Sequence, residues 1–274
     1  MSIITLTTDY GLKDHFVGAL KGKILSLHKD AKIIDITHDV DPFNIGEASY
    51  IINTAFNNFP KGTVHIIGID AELKENNQHV AIEWKDHFFI AADNGILSIL
   101  IDKINPEKMV AINIHDRLLA EATDMDVFIT VAVHIAKGGS LSVIGKEITT
   151  LKEVTELQPF ASDDYNSIKG YVVYIDRFGN AVTNITKKMF LEHANGRPYE
   201  VNFKNKKVKS IFAKYSEIEA VDKNPLSLIS GVSVAIFNES GFLEIGIYKS
   251  NPNVASAASL FGIQYRDLVT INFK

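Results

Sequence analysis

Residues 3–27 read IITLTTDYGLKDHFVGALKGKILSL, and the change of period inside this stretch decides the fold. The apolar run Ile3 to Leu6 gives way to Thr7-Thr8-Asp9. Asp14 then reads as the N-cap of a helix whose Phe16, Val17, Leu20, Ile24 and Leu27 share one face. The unit is a strand, a loop carrying an acid, and a helix. Working outward, the rhythm repeats. Lys32 to Ile36 is a short buried strand followed by the polar THDVDP, and Ile45 to Phe59 is a helix closed by Pro60. Thr63 to Ile69 is a third strand, ending at Asp70, and His79 to Trp84 with His87 to Ala92 form a hairpin across Lys85-Asp86. A DNG turn at 93–95 opens a short helix through Leu100, Met109 to Ile114 is a strand, and Asp126 to Ala136 is a helix. Such alternation implies a mostly parallel sheet covered on both faces, with ligands received at the carboxyl ends of strands. Asp9, His38, Asp70 and Asp93 fall at such ends.

After about residue 150 both periods stop. Residues 151–167 read as a linker, and from Gly170 short strand-like runs (GYVVYID, NAVTNI, YEVNF, VSVAIF, FLEIGIY, LVTINF) alternate with turn residues. The expected organisation is an α/β domain with a mostly parallel central sheet over 1–150, a linker, and a smaller all-β barrel-like domain over 168–274.

Composition narrows the function classes. The 274 residues are 46% hydrophobic and 22% charged, enough for two cores. A net charge of −5 argues against nucleic-acid binding, which requires clustered Lys and Arg. The absence of cysteine excludes disulfides, zinc–thiolate sites and thiol nucleophiles. The nine histidines show no HExxH or paired spacing. The N-terminus lacks a signal-peptide pattern and no run approaches 18 apolar residues, so a cytoplasmic protein without membrane contact is expected.

Each polar motif has two readings. Asp9 either caps backbone amides in a tight loop or holds sugar hydroxyls. His38, Asp39 and Asp41 in THDVDP suggest a metal, but adjacent ligands in one loop rarely close a coordination sphere, and no metal is expected. DNG is first a turn, and FKNKKVK at 203–209 is a solvated hairpin rather than a phosphate site. DRFGN at 176–180 sets ligand-capable side chains and an aromatic at a strand break.

Taken together, five stretches resemble the S-adenosyl-L-methionine (SAM) hydroxide adenosyltransferases, the SAM hydrolases related to the fluorinating and chlorinating enzymes. They are TTDYGLKDHFVGALKG (7–22), DITHDVDPFNIGEAS (35–49), FPKGTVHIIGID (59–70), FIAADNGILS (89–98) and VYIDRFGNAVTNI (173–185), the last being the most specific. The resemblance implies a homotrimer that binds SAM where the N-domain of one subunit meets the C-domain of its neighbour. It also implies water attack at the ribose C5′ to give adenosine and methionine, with SAM as substrate or ligand and no cofactor. By the same resemblance Asp9 bonds the ribose hydroxyls, Phe43 packs near the ribose, Phe178 lies against adenine and Asp176 holds the methionine ammonium. Asp70 falls on the catalytic aspartate. Asn94 and Asn180 belong to the matching substrate-contact elements.

The departures concern the rest of an Asp–Arg–His triad. The family's PGVGT and paired arginines are replaced by AELKENNQH, which leaves Lys74 and His79 as the nearest substitutes and a loop that need not close over SAM in the family's way. Thr123 stands at the family's histidine, and His115 in IHDR lies out of register for that role. In NESGFLEIGIY, Glu239 replaces a serine that helps bind methionine, and Tyr248 replaces an asparagine that reads adenine. The expectation is a SAM hydrolase with Asp70, Lys74 and His79 as the catalytic set. The alternative is a relative that binds SAM, adenosine or another nucleoside without turnover.

Overall fold

The computed structural model describes residues 3–102, 104–155, 157–221, 231–252 and 254–274. The chain forms two units, Met1–Thr155 and Glu156–Lys274.

The first unit is built on a seven-stranded sheet of order β2-β1-β3-β5-β4-β6-β7. Its strands are β1 (Ile3–Thr8), β2 (Lys32–Thr37), β3 (Val64–Gly68), β4 (His79–Trp84), β5 (His87–Ala92), β6 (Lys108–Ile112) and β7 (Gly145–Glu147). The block β2-β1-β3-β5 is parallel, whereas β4, β6 and β7 each run antiparallel to their neighbours. The helices are α1 (Phe16–Leu27), α2 (Ile45–Ala55), α3 (Ile96–Ile101), α4 (Asp124–Ala136) and α5 (Leu141–Ile144).

Strand β3 shows why this sequence must be covered on both faces. Val64 and Ile66 join one buried cluster with Leu20, Ile24, Phe128 and Val131 of α1 and α4, while Ile67 joins another with Ala48, Ile52, Leu97 and Leu100 of α2 and α3. Neighbouring positions on a strand point to opposite faces, so an uninterrupted apolar run demands two layers of helix. The second cluster also encloses Trp84, the sole tryptophan, against Phe56 and Phe89. Burying each such ring contributes about 1.5–3 kcal/mol.

Helix α4 begins at Asp124, two residues before the expected Asp126, and the boundaries of α1 and α2 differ from the sequence reading as well. His15, not Asp14, is the N-cap of α1, with no side-chain cap bond, and Phe16 and Leu27 remain exposed at the ends of the stripe that Val17, Leu20 and Ile24 bury. The helix expected to reach Phe59 stops at Ala55, and Phe56–Asn58 tighten into a 3-10 turn.

The second unit carries a nine-stranded sheet whose path is β12-β11-β16-β9-β10-β15-β14-β13, with β8 paired to β9. Its strands are β8 (Phe160–Ala161), β9 (Ser167–Ile175), β10 (Ala181–Thr186), β11 (Tyr199–Phe203), β12 (Lys206–Val208), β13 (Ile211–Phe212), β14 (Ser233–Phe237), β15 (Phe242–Ile247) and β16 (Leu268–Phe273). The sheet curls upon itself: Val201, Phe203 and Val208 share one core with Ala235, Leu243 and Ile245, and Ile211 N–H donates to Tyr199 Oη at 3.0 Å. FKNKKVK is the β11–β12 hairpin, turning at Lys204. Two helices, α6 (Lys187–Ala194) and α7 (Ser216–Val221), and the short helix Ala257–Phe261 lie in segments where the sequence reading placed only turns.

Candidate functional site

The parallel block brings four polar residues to one sheet edge. Asp9, His38, Asp70 and Asp93 follow the carboxyl ends of β1, β2, β3 and β5, which are adjacent in the order β2-β1-β3-β5. This is the edge at which open α/β sheets receive ligands.

Asp9 holds a strained turn. Its Oδ2 accepts the Phe43 N–H at 2.9 Å, and Phe43 has φ 64°, a left-handed conformation costly for a bulky residue. The Phe43 ring is 71% exposed. A chain of side chains in the same loop region runs from buried Thr8 and His38 out to partly exposed Asp35 and Lys21. Thr8 Oγ1 bonds His38 Nδ1 at 2.7 Å, His38 Nε2 lies 3.1 Å from Asp35 Oδ1, and Lys21 Nζ donates to Asp35 Oδ2 at 2.6 Å. Burial would raise the Asp35 carboxyl, but its bonds from Lys21 and His38 outweigh that and hold it below its usual value. His38 thus serves the loop's framework, and among the described residues no group of three or more His, Asp or Glu is arranged to hold a metal ion.

Asp70 also has positive φ, 42°, and neighbouring amides fix it there. Asn94 Nδ2 donates to the carbonyls of Ile69 (2.9 Å) and Asp70 (3.4 Å), while its Oδ1 accepts from Ile96 N–H. Asn77 Nδ2 donates to the carbonyls of Asp70 and Glu72. Lys74 and Asn77 exchange two backbone hydrogen bonds, so the segment that replaces the glycine-rich family loop is a closed, pinned turn. Asn94, expected at the substrate, has its amide engaged in positioning the Asp70 backbone.

The two proposed helpers of Asp70 are placed differently. Lys74 Nζ lies 3.8 Å from Asp70 Oδ1 and 2.9 Å from Glu72 Oε2. Bonding to Glu72, and then the Asp70 charge, push the Lys74 amine up, so it stays an ammonium that can bind charge but not take a proton. His79 is fully buried; its Nε2 lies 2.8 Å from the Ala71 carbonyl oxygen and 3.6 Å from Asp124 Oδ1, and its Nδ1 lies 3.0 Å from His115 Nε2. Burial pushes this imidazole down, although the Ala71 carbonyl and Asp124 act the other way. Its ring nitrogens therefore face Ala71 and His115 rather than the Asp70 carboxylate.

The sequence reading set His115 aside as out of register, and the fold brings it to His79. What it lacked was the strand direction. β6 runs parallel to β5 because both oppose β4, so the residues after β6 return to the acid-lined edge. Thr123 forms a capping box with Asp126 at the start of α4, accepting from Asp126 N–H at 3.3 Å while its own N–H donates to Asp126 Oδ2 at 2.8 Å. Burial raises the Tyr10 hydroxyl, and the charges of Asp9 and Asp124 add to it.

In the second unit, DRFGN is an internally bonded turn. Asp176 Oδ1 accepts the N–H groups of Phe178 and Asn180, both at 2.8 Å, and Oδ2 accepts from Asn180 Nδ2 at 2.9 Å. Gly179 has φ 74°, and a β-carbon there would stand 2.2 Å from Ser256 Oγ. The result is a rigid turn presenting Phe178, 66% exposed, as an aromatic platform. Glu239 is exposed on the turn before β15, whereas Tyr248 is buried with Ile218 and Val234 and stacked on Tyr215. Unforeseen from sequence is buried Glu244, which accepts from Tyr215 Oη at 2.8 Å; burial raises its carboxyl, the Tyr215 bond opposes this, and Asp176 adds to it.

A parallel sheet edge lined with acids, together with a separate β-barrel unit presenting an aromatic, defines a two-unit protein of the small-ligand-binding α/β class. The chain belongs to the SAM hydroxide adenosyltransferase family: residues 4–145 match the model of its N-terminal domain and residues 170–270 that of its C-terminal domain. A protein named (R)-S-adenosyl-L-methionine hydrolase from Methanocaldococcus jannaschii is 30% identical over 279 residues, covering 99% of this chain and 96% of that protein. A fluorinase from Actinopolyspora mzabensis is 25% identical over 231 residues, 74% of this chain and 77% of that protein. The crystal structure of a conserved protein from Thermotoga maritima superposes with a TM-score of 0.83 at 25% identity, covering 99% of this chain and 100% of that one. Among the described residues no helix is long and apolar enough to cross a membrane.

Proposed function

We propose that this protein hydrolyses SAM, water attacking the ribose C5′ and methionine leaving as a neutral thioether, to give adenosine. The observation that carries the reading is the pairing of Asp9 and Asp70 at the carboxyl ends of adjacent parallel strands, in a chain that matches both family domains. Anionic side chains suit a site that receives a sulfonium cation. In this reading residues 1–150 bind the nucleoside and residues 168–274 supply the barrel-like domain, while the segment 151–167 connects them and also lends β8 to the second sheet. Asp9 takes the ribose hydroxyls beside Phe43, Phe178 stacks on adenine, and Asp176, Asn180, Glu239 and Tyr248 shape the methionine and adenine ends. Asp70 orients the water, Asn94 holds its backbone, Lys74 supplies charge and His79 buttresses the loop. The assembly is a homotrimer acting in the cytoplasm, with no cofactor, metal or nucleic acid.

Incubation of the purified protein with SAM, followed by chromatography, tests this. Adenosine is expected in the wild type and not in Asp70→Asn; equal, background-level adenosine in both sinks the reading. A second reading, a binding module without turnover, is favoured by the Lys74 ammonium 3.8 Å from Asp70, where it competes with a sulfonium for that carboxylate. Calorimetry with SAM and adenosine separates the two: binding without product supports the module, and binding of neither rejects it.

A further inference from the structure

Three elements converge on His115. It follows β6, whose carboxyl end shares the edge of β1, β3 and β5; His79 opens β4 at that same edge, and Asp124 opens α4. The His79 and His115 rings lie 5.1 Å apart, with their nitrogens at 3.0 Å.

The Ala71 carbonyl fixes the direction of every bond in this chain. A carbonyl only accepts, so His79 Nε2 carries hydrogen, and neutral His79 then offers a bare lone pair at Nδ1. His115 Nε2 must donate to that lone pair, which leaves neutral His115 with its own lone pair on Nδ1. Burial, which holds His79 neutral, reinforces this assignment. His115 lines an open cleft of about 460 Å³ together with Leu73, Leu119 and Asp124. Leu73 belongs to the pinned turn that begins at Asp70, so that turn and the imidazole border one cleft.

We propose that His115 is the proton acceptor for hydrolysis at the Asp70 site, and that His79 is the positioning residue that sets its tautomer. The proposal rests on the hydrolase reading. The water oxygen bonds to C5′ as the C5′–S bond breaks, and the bonding pair goes to sulfur, so methionine departs neutral. The water proton passes to His115 Nδ1 and from there to solvent. The charged and titratable groups around the imidazole are His79 from β4, Asp124 from α4 and Asp116 on its own turn; Arg117 on that turn is directed at the Val143 carbonyl.

Single-turnover adenosine formation across pH, measured beside calorimetric SAM affinity, tests the assignment. His115→Gln is expected to slow the chemical step by about 10²-fold or more without weakening SAM binding, and to lack the fall in rate toward acid that is expected of the wild type. Added imidazole is expected to restore rate to His115→Gly, a rescue that a purely structural role would not give. His79→Gln, which can still donate to Ala71, is expected to lower kcat with little change in KM and to keep a pH-dependent rate. A His115→Gln enzyme with wild-type rate and pH profile overturns the proposal. Should that variant lose SAM binding, the wild type decides: a rate flat with pH overturns the proposal, and an acid limb together with imidazole rescue supports it. A wild type that makes no adenosine above Asp70→Asn removes both readings together, whereas adenosine that persists without His115 removes only this one.

Discussion

Asp70 keeps a left-handed backbone because Asn94 and Asn77 donate to the carbonyls on either side of it. Asn94→Ala should therefore cost about 1–3 kcal/mol in a urea titration, since buried carbonyls lose their donors, and should reduce adenosine formation with Asp70 itself intact. His65 offers a pH test away from the site. It is buried beneath Phe56, bonded to Thr5 and His87, and burial, followed by the nearby His87, pushes its pKa from 6.5 to about 3. The unfolded chain takes up this proton at higher pH than the folded one, so the contribution is complete above pH 6.5 and is lost as pH falls toward 3. At about 1.4 kcal/mol per pH unit, the wild type should lose about 2 kcal/mol by pH 5 that His65→Gln does not lose, measured by denaturation at each pH. At this scale the strand-end acids were legible, because an apolar run followed by one acid marks a strand mouth. Their partners were not: the His79–His115 contact joins residues 36 apart in sequence, and no local pattern encodes it.

At the scale of elements, β1 and α1 show both success and failure. Apolar period fixes where a strand or helix lies, so the βα alternation and the hairpin at 79–92 were readable to within a residue or two. It does not fix the ends, which caps and local bonding decide: α1 starts without the Asp14 cap, and α2 tightens into a 3-10 turn four residues early. The short strands β8 and β13 escape because two residues carry no period, and they are strands only through their neighbours. The DRFGN turn is the element whose chemistry depends most on one backbone angle. Gly179→Ala forces an L side chain into positive φ and against Ser256, so it should destabilise the second unit by about 1–3 kcal/mol, seen as an earlier thermal transition in far-UV ellipticity.

For the whole molecule, two cores of distinct type were foreseeable from length and from the change of period near residue 150, whereas the homotrimer is an expectation from the family resemblance alone, since no single-chain pattern records a subunit contact. The trimer proposal is checked by sedimentation equilibrium, which should return three times the chain mass; a monomer would rule it out. The buried Trp84 gives the two units separate optical signatures. As the chain's sole indole, packed against Phe56 and Phe89 with Lys85 Nζ 4.2 Å from its ring, it emits from inside the first unit alone. Fluorescence therefore follows one half of the protein and ellipticity follows both, so superimposable melting curves would mark a single cooperative transition and divergent ones would give each half its own stability.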